Sequence, residues 1–155
     1  MTPGMSNLFE FIRNNKSRFD LVLISSSYEY LIKHMLKFYK IEDLFEDIFC
    51  PLSRIGKPEE DQIIYVSKRY THNCKICNPA EGCKTKDFSL YKEKKDMEMY
   101  EKVICVCDGG NDFCLSKNLG MNDIVMPRVN FGLYRKLNEQ GLKNELKCLI
   151  NDWNN

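Results

Sequence analysis

The segment DGGND at 108–112 carries the residue types best suited to chemistry in this chain. Two carboxylates, Asp108 and Asp112, stand four residues apart on a glycine-containing turn that follows an apolar run. Such carboxylates can converge on Mg²⁺, which binds one or two of them and keeps water and phosphate oxygens as further ligands. Glycine also lets the backbone approach a ligand closely. The alternative is an ordinary strand-to-helix turn in which Asp112 caps the helix, and spacing alone leaves both interpretations open.

Two further polar residues could contact a phosphate group. Ser25 ends the apolar run at 21–24 just before a predicted helix, where a hydroxyl and free backbone N–H groups can bind an anion. Taken alone, Ser25 is more simply a helix-capping serine. Lys84 could neutralise phosphate oxygens, but it is one of 23 basic residues, most of which are expected to be solvated.

Eight cysteines are unusual in a chain of 155 residues. Since no N-terminal stretch is apolar enough for a signal peptide, we expect a reducing compartment and no disulfides. His72, Cys74, Cys77 and Cys83 have the residue types and crowding of a tetrahedral zinc site. We favour the alternative, a reduced loop whose thiols pack as small hydrophobic groups. Cysteines in apolar runs are expected in the core, namely Cys50, Cys105, Cys107 and Cys148.

Alternating strands and helices must position these residues. Apolar runs predict strands at 19–24, 48–50, 103–107 and 123–126. Helical spacing predicts helices at 5–14, at 28–39 with Ser27 as its N-cap, and around Leu133 and Leu137. The pattern is weak over 54–102, and 146–153 is either an edge strand or a final helix. Strands alternating with helices predict a parallel sheet whose ligands bind beyond the carboxyl ends of the strands.

Composition excludes several classes of protein. Hydrophobic residues make up 43% and charged residues 29%, which excludes a disordered or collagen-like chain. The net charge of +1 offers no basic excess for nucleic acid, and no apolar run is long enough to span a bilayer. We therefore expect a soluble, cytoplasmic protein without a nucleic-acid or membrane partner.

Three of these features together resemble motifs II, III and IV of the haloacid dehalogenase (HAD) superfamily: the strand ending in Ser25, the later Lys84, and the strand ending in DGGND. The resemblance extends to the branch that contains pyridoxal phosphate phosphatase and phosphoethanolamine/phosphocholine phosphatase. It rests, in chain order, on TPGM at 2–5, LFEFIR at 8–13, FDLVLIS at 19–25, the cysteine block at 72–84, DGGNDFC at 108–114 and DIVMPR at 123–128.

The resemblance implies a three-layer, Rossmann-like α/β core with a mostly parallel sheet. It also implies a Mg²⁺-dependent phosphomonoesterase that acts on a small phosphorylated metabolite such as pyridoxal 5'-phosphate. The implied phosphate contacts are Ser25, Ser26, Lys84 and Gly109, of which Ser25 and Lys84 are catalytic. Asp108 is the implied Mg²⁺ ligand, with Asp112 as a second ligand or as an orienter of the site.

The nucleophile of that family is missing from the chain. The family carries its nucleophile and general acid/base in a D-x-D-x-T motif, and no D-x-D occurs in the 155 residues. We expect the nucleophile to lie upstream, so that residues 1–155 form a single partial core domain without the motif I strand and helical cap. In the family the motif I strand lies between the strands that end here in Ser25 and Asp108. The alternatives are an inactive pseudophosphatase that keeps phosphate or metal binding, and a small zinc module.

One departure from the family concerns the substrate. After the motif II strand the family usually reads S-D-(A/S)-N, whereas this chain reads SSSY at 25–28. Loss of the Asp and the Asn is expected to alter the pocket for the leaving group. It disfavours a cationic choline or ethanolamine substrate in particular.

Overall fold

The apolar runs at 21–24 and 103–107 form strands in the computed structural model, which describes residues 2–56, 64–67, 69–77 and 82–154. The described residues divide into two compact units. The first contains those up to Thr71 together with Gly82, and the second contains the remainder from His72 to Asn154.

The first unit contains a parallel strand pair and an antiparallel hairpin. In chain order its elements are α1 (Met5–Asn14), β1 (Leu21–Ile24), α2 (Glu29–Phe38), β2 (Phe45–Phe49), β3 (Leu52–Ile55) and β4 (Ile64–Ser67). β1 pairs in parallel with β2, with Ile24 opposite Phe49, and β3 pairs antiparallel with β4. The core of this unit gathers around Ile32 and Leu36 of α2.

The amphipathic face of α2 is narrower than the sequence predicts. Ile32 and Leu36 are buried, but Leu31 and Met35 on the same predicted stripe are each 41% exposed. The predicted Ser27 cap is also wrong, because Tyr28 is the N-cap and makes no side-chain capping bond. The helix therefore packs on the core mainly through Ile32 and Leu36, which lie one turn apart.

The second unit is built on three parallel strands. Its elements are α3 (Lys84–Lys94), β5 (Ile104–Cys107), α4 (Asp112–Ser116), β6 (Ile124–Pro127), α5 (Gly132–Glu139) and β7 (Leu149–Ile150). β6 lies between β5 and β7, and both pairings are parallel. Val125, Leu133 and Leu137 form the most deeply buried part of its core. The final segment is thus an edge strand rather than a helix.

The α/β class and the parallel pairing are confirmed, and one of the parallel strands, β5, is half exposed. In the described part of the chain β1 pairs only with β2, and β5 pairs only with β6. On β5, Cys107 is buried while Ile104 and Val106 are 50% and 52% exposed. The fully apolar run at 103–107 therefore covers a core on one face only. No helix within the described ranges is both long and apolar enough to cross a bilayer.

Candidate functional site

The turn after β5 is closed by the carboxylate of Asp112. Its Oδ2 accepts hydrogen bonds from the backbone N–H groups of Asp108 at 3.1 Å and Gly109 at 2.8 Å. The Asp112 N–H in turn donates to the Gly109 carbonyl at 3.1 Å. The side chain is 4% exposed, so these bonds form in a water-poor environment where they hold the turn firmly.

Lys84 is fixed onto that same carboxylate. It is the first residue of α3, and its Nζ donates to Oδ1 of Asp112. The Lys84 side chain is 13% exposed. A buried ammonium needs a paired anion, and Asp112 supplies it. The pair places one positive charge beside the turn that ends β5.

Asp108 differs from Asp112 in being open to solvent. Its backbone carbonyl accepts from the N–H of Leu133 at 3.1 Å, which ties the turn to the start of α5. Its side chain is exposed, and its carboxylate has no hydrogen-bond or ion-pair partner among the described residues. The two aspartates therefore have different roles in this geometry, since Asp112 positions the turn and Asp108 presents a carboxylate.

The donor set suits a hard divalent cation. Asp108 offers a carboxylate, while both oxygens of Asp112 already accept bonds from Lys84 and the turn. Mg²⁺ commonly binds one or two carboxylates and completes its shell with water and substrate oxygens. The Asp112 carboxylate contacts Lys84 through one oxygen and the turn backbone through the other.

Gly109 and Gly110 are enclosed by neighbouring elements. The Gly109 N–H already donates to Asp112, so a phosphate contact here would rely on close approach of the backbone rather than on that N–H. A Cβ on Gly132, at the start of α5, would lie 2.6 Å from the Gly110 nitrogen. Only glycine allows this approach. The Lys136 side chain also passes over the turn, with its Cε 3.3 Å from the place of a Gly110 Cβ.

Four sulfur atoms converge in the second unit. The Sγ atoms of Cys74, Cys77, Cys83 and Cys114 all lie within 4.8 Å of one another, and we call this group the four-cysteine cluster. Cys114 Sγ lies 3.4 Å from Cys74 Sγ and 3.7 Å from Cys83 Sγ. All eight cysteines of the chain are thiols rather than disulfides.

The cluster differs from the predicted zinc set at one member. The structure places Cys114 with the other three cysteines, whereas His72 accepts a hydrogen bond from the Cys74 N–H through Nδ1 at 3.3 Å. Cys114 stands 31 residues beyond Cys83 and inside the DGGNDFC segment. Local spacing therefore gave no signal for it.

The surroundings shift the pKa values of several thiols in opposite directions. Burial raises the pKa of Cys74, but hydrogen bonds from the backbone N–H groups of Cys77 and Ile76 to its sulfur outweigh burial and lower it to about 6. Burial is the main cause that raises the pKa of Cys77 and of Cys114. At the end of β5, hydrogen bonding to Cys105 and then burial raise the pKa of Cys107, which keeps that thiol neutral.

Ser25 and Ser26 belong to the first unit and follow β1. The Ser25 N–H donates to the Phe49 carbonyl at 2.9 Å, which continues the pairing of β1 with β2. The Ser25 Oγ accepts from the Ser27 N–H at 3.1 Å, a local turn that orients the hydroxyl. That bond uses a lone pair of the oxygen, so the O–H hydrogen stays available to donate. Ser26 is exposed.

The chain matches the family described as "Putative Phosphatase" over residues 1–155. It is 33% identical to pyridoxal phosphate phosphatase PHOSPHO2 from Bos taurus, over 88% of this chain and 56% of that protein. It is 31% identical to the phosphoethanolamine/phosphocholine phosphatase from Gallus gallus, over 92% of this chain and 53% of that protein.

The chain spans about half the length of the curated relatives that it matches. No solved structure gives a significant match. The family match covers every motif on which the resemblance rests, from TPGM to DIVMPR. The chain therefore belongs to this phosphatase family, a branch of the haloacid dehalogenase superfamily.

Proposed function

We propose that the full-length protein is a Mg²⁺-dependent phosphomonoesterase that acts on a small phosphorylated metabolite. The observation that carries the proposal is the pairing of Lys84 with Asp112 beside the open carboxylate of Asp108. A fixed ammonium and a free carboxylate at the carboxyl end of a parallel strand suit a metal-bound phosphate, since phosphoryl transfer depends on positioning and charge stabilisation.

Each residue has a role in this proposal. Asp108 would hold Mg²⁺, which when bound neutralises charge on the phosphoryl oxygens. Lys84 neutralises further oxygen charge, and Asp112 keeps the ammonium and the turn in place. For Ser25 and Ser26 of the first unit, the phosphate contact is the one that the family resemblance implies, and the Ser25 hydroxyl keeps a hydrogen that it can donate.

We further propose that a D-x-D-x-T motif upstream of these residues supplies the nucleophile and the general acid/base. Two observations support this. The chain spans about half the length of its relatives, and β1 and β5 each have one edge without a strand partner in the described part of the chain. Open strand edges expose unpaired backbone groups that proteins normally cover. In the family, the motif I strand lies between the two strands that correspond to β1 and β5.

The residues after β1 support a choice between two substrates. Relatives of this chain bear the names of pyridoxal phosphate phosphatase and of phosphoethanolamine/phosphocholine phosphatase. Ser26-Ser27-Tyr28 supplies no carboxylate where the family carries one, so no anion from this segment faces a quaternary or primary ammonium. We therefore propose that the protein prefers pyridoxal 5'-phosphate to phosphocholine.

The test is phosphate release by the full-length protein with Mg²⁺, using p-nitrophenyl phosphate, pyridoxal 5'-phosphate and phosphocholine. Asp108→Asn and Lys84→Met are each expected to lower kcat by about 10²-fold or more, because each removes charge stabilisation of the transferring group. Glu139→Gln, on the exposed side of α5, is the matched control and should keep wild-type turnover.

Two results would contradict the proposal. Wild-type turnover in Asp108→Asn would exclude the assigned metal ligand. A full-length protein that hydrolyses none of the three substrates would instead support a pseudophosphatase, for which the absence of D-x-D from the 155 residues is the supporting observation.

A further inference from the structure

The four-cysteine cluster has the dimensions of a metal site. A tetrahedral zinc ion with Zn–S distances near 2.3 Å holds its sulfur ligands about 3.8 Å apart. Cys114 Sγ lies 3.4 Å from Cys74 Sγ and 3.7 Å from Cys83 Sγ, and all four sulfur atoms lie within 4.8 Å of one another. Small changes in the side-chain torsion angles of the four cysteines would bring their sulfur atoms to tetrahedral spacing.

These four cysteines differ from the other buried cysteines of the chain. Cys107 and Cys148 pack among aliphatic and aromatic side chains in the core of the second unit, and Cys50 does so in the first. None of the four clustered cysteines belongs to either hydrophobic core. Their sulfur atoms contact one another instead, which apolar packing does not require.

Polar groups around the cluster suit thiolate ligands. The backbone N–H groups of Ile76 and Cys77 donate to the Cys74 sulfur. Such outer partners orient metal ligands and stabilise their charge. Lys86 and Lys117 line an open depression of about 530 Å³ against the cluster, which offers a route of entry and positive charge near a tetrathiolate.

We propose that Cys74, Cys77, Cys83 and Cys114 bind one structural zinc ion. On binding, all four cysteines coordinate as thiolates, the protons that they still carry pass to solvent, and four Zn–S bonds fill the tetrahedral shell. A site with four thiolates leaves no position for water, so its role is structural rather than catalytic. Among the described residues this is the one group of three or more His, Cys, Asp and Glu side chains whose ligand atoms lie close enough together to share a metal ion.

The ion would fasten together the two segments that carry Lys84 and Asp112. Cys83 immediately precedes Lys84, and Cys114 follows Asp112 by two residues on α4. Thr85 reinforces the same junction, since its Oγ1 donates to the Cys114 carbonyl at 2.8 Å and accepts from Asn118 at 3.2 Å. Zinc would therefore fix the start of α3 against α4 and so position the ammonium of Lys84.

The test measures zinc by elemental analysis in the full-length protein, purified under reducing conditions without chelator. We expect about one zinc per chain. After replacement of zinc by Co²⁺, we expect the visible d–d absorption of a tetrahedral ion together with sulfur-to-cobalt charge transfer. Cys114→Ser should weaken zinc affinity by at least about 10²-fold, as judged by chelator competition, since losing a ligand costs no less than losing an outer partner. Cys148→Ser, equally buried but outside the cluster, should bind zinc like the wild type.

The inference is overturned if the folded, reduced wild-type protein contains no zinc and takes none up. It is equally overturned if mass spectrometry finds a disulfide within the cluster, or if Cys114→Ser and Cys148→Ser bind zinc equally well. The zinc content of the wild type and the sulfur-to-cobalt charge transfer together decide the question, so a variant that fails to fold does not leave it open. None of these measurements uses phosphatase activity, so a failure of the proposed function is separable from a failure of this one.

Discussion

Breaking the Lys84–Asp112 pair should destabilise the protein strongly, and removing both charges should restore much of the loss. Asp112→Asn keeps the side-chain shape and an oxygen for the two backbone N–H donors of the turn. It leaves the Lys84 ammonium, 13% exposed, facing a neutral amide. Removing one member of a buried pair costs about 3–5 kcal/mol, and the partial exposure of Lys84 puts our expectation at the lower end, about 3 kcal/mol.

Lys84→Met should cost less than Asp112→Asn. The Asp112 carboxylate would keep the N–H donors of Asp108 and Gly109 in that variant, so its charge stays partly compensated. In the double variant neither charge is left alone, so it avoids the cost of an uncompensated buried charge that each single variant carries. The sum of the two single losses should therefore exceed the loss in the double variant by about 2 kcal/mol.

The assay is urea unfolding of the full-length protein, its two single variants and the double variant. A matched control is the Lys117–Glu145 pair, whose side chains are 36% and 44% exposed although their charged atoms lie 2.6 Å apart. Solvent screening should hold the coupling of Lys117→Met with Glu145→Gln below about 1 kcal/mol. If the losses in free energy of unfolding of the two single variants sum to within about 0.5 kcal/mol of the loss in the double variant, Lys84 and Asp112 are not a coupled pair.

Two further substitutions test the packing of each unit, also by urea unfolding. Gly132→Ala should lower the free energy of unfolding by about 1–3 kcal/mol although alanine favours helices, because its Cβ would lie 2.6 Å from the Gly110 nitrogen. The control Gly120→Ala, whose Cβ would meet only a side-chain oxygen at 3.4 Å, should change it by less than about 0.5 kcal/mol. Equal effects of the two substitutions would exclude the clash at Gly132. Phe49→Ala removes a fully buried ring from β2 and should lower the free energy of unfolding by about 3–5 kcal/mol. The control Phe38→Ala removes a ring that is 70% exposed and should lower it by less than about 0.5 kcal/mol. A similarly small effect of Phe49→Ala would mean that the first unit does not depend on this ring.

Much of the fold was predictable from local pattern. The helical spacing over 5–14 predicted α1 at its observed bounds, and the apolar runs before Ser25 and Asp108 predicted β1 and β5. These elements can be predicted because each contains a local pattern of apolar residues, helical spacing in α1 and a short continuous run in β1 and β5. The weak pattern over 54–102 concealed α3, whose sequence KTKDFSLYKEK has few apolar residues to mark a buried face.

For the candidate site, the sequence supplies the residue types and the structure supplies their contacts. The residue types of the DGGND turn and of Lys84 are compatible with phosphate and metal chemistry, and the resemblance to the family is what favours that interpretation over an ordinary turn. Which aspartate positions the turn and which presents a carboxylate depends on hydrogen bonds from α3 and from the turn backbone, which spacing does not encode. The close approach of Gly132 likewise depends on how α5 meets the turn.

Local periodicity and contiguous motifs were enough to indicate the α/β class, the elements outside 54–102, the phosphatase family and the residue types available to the site. Tertiary structure decided which of those residues meet. It brought Cys114 to Cys74, Cys77 and Cys83 in place of His72, and it placed Lys84 on Asp112 across 28 residues of chain. Contacts between distant segments depend on packing and long-range hydrogen bonds, and no spacing along the chain specifies them.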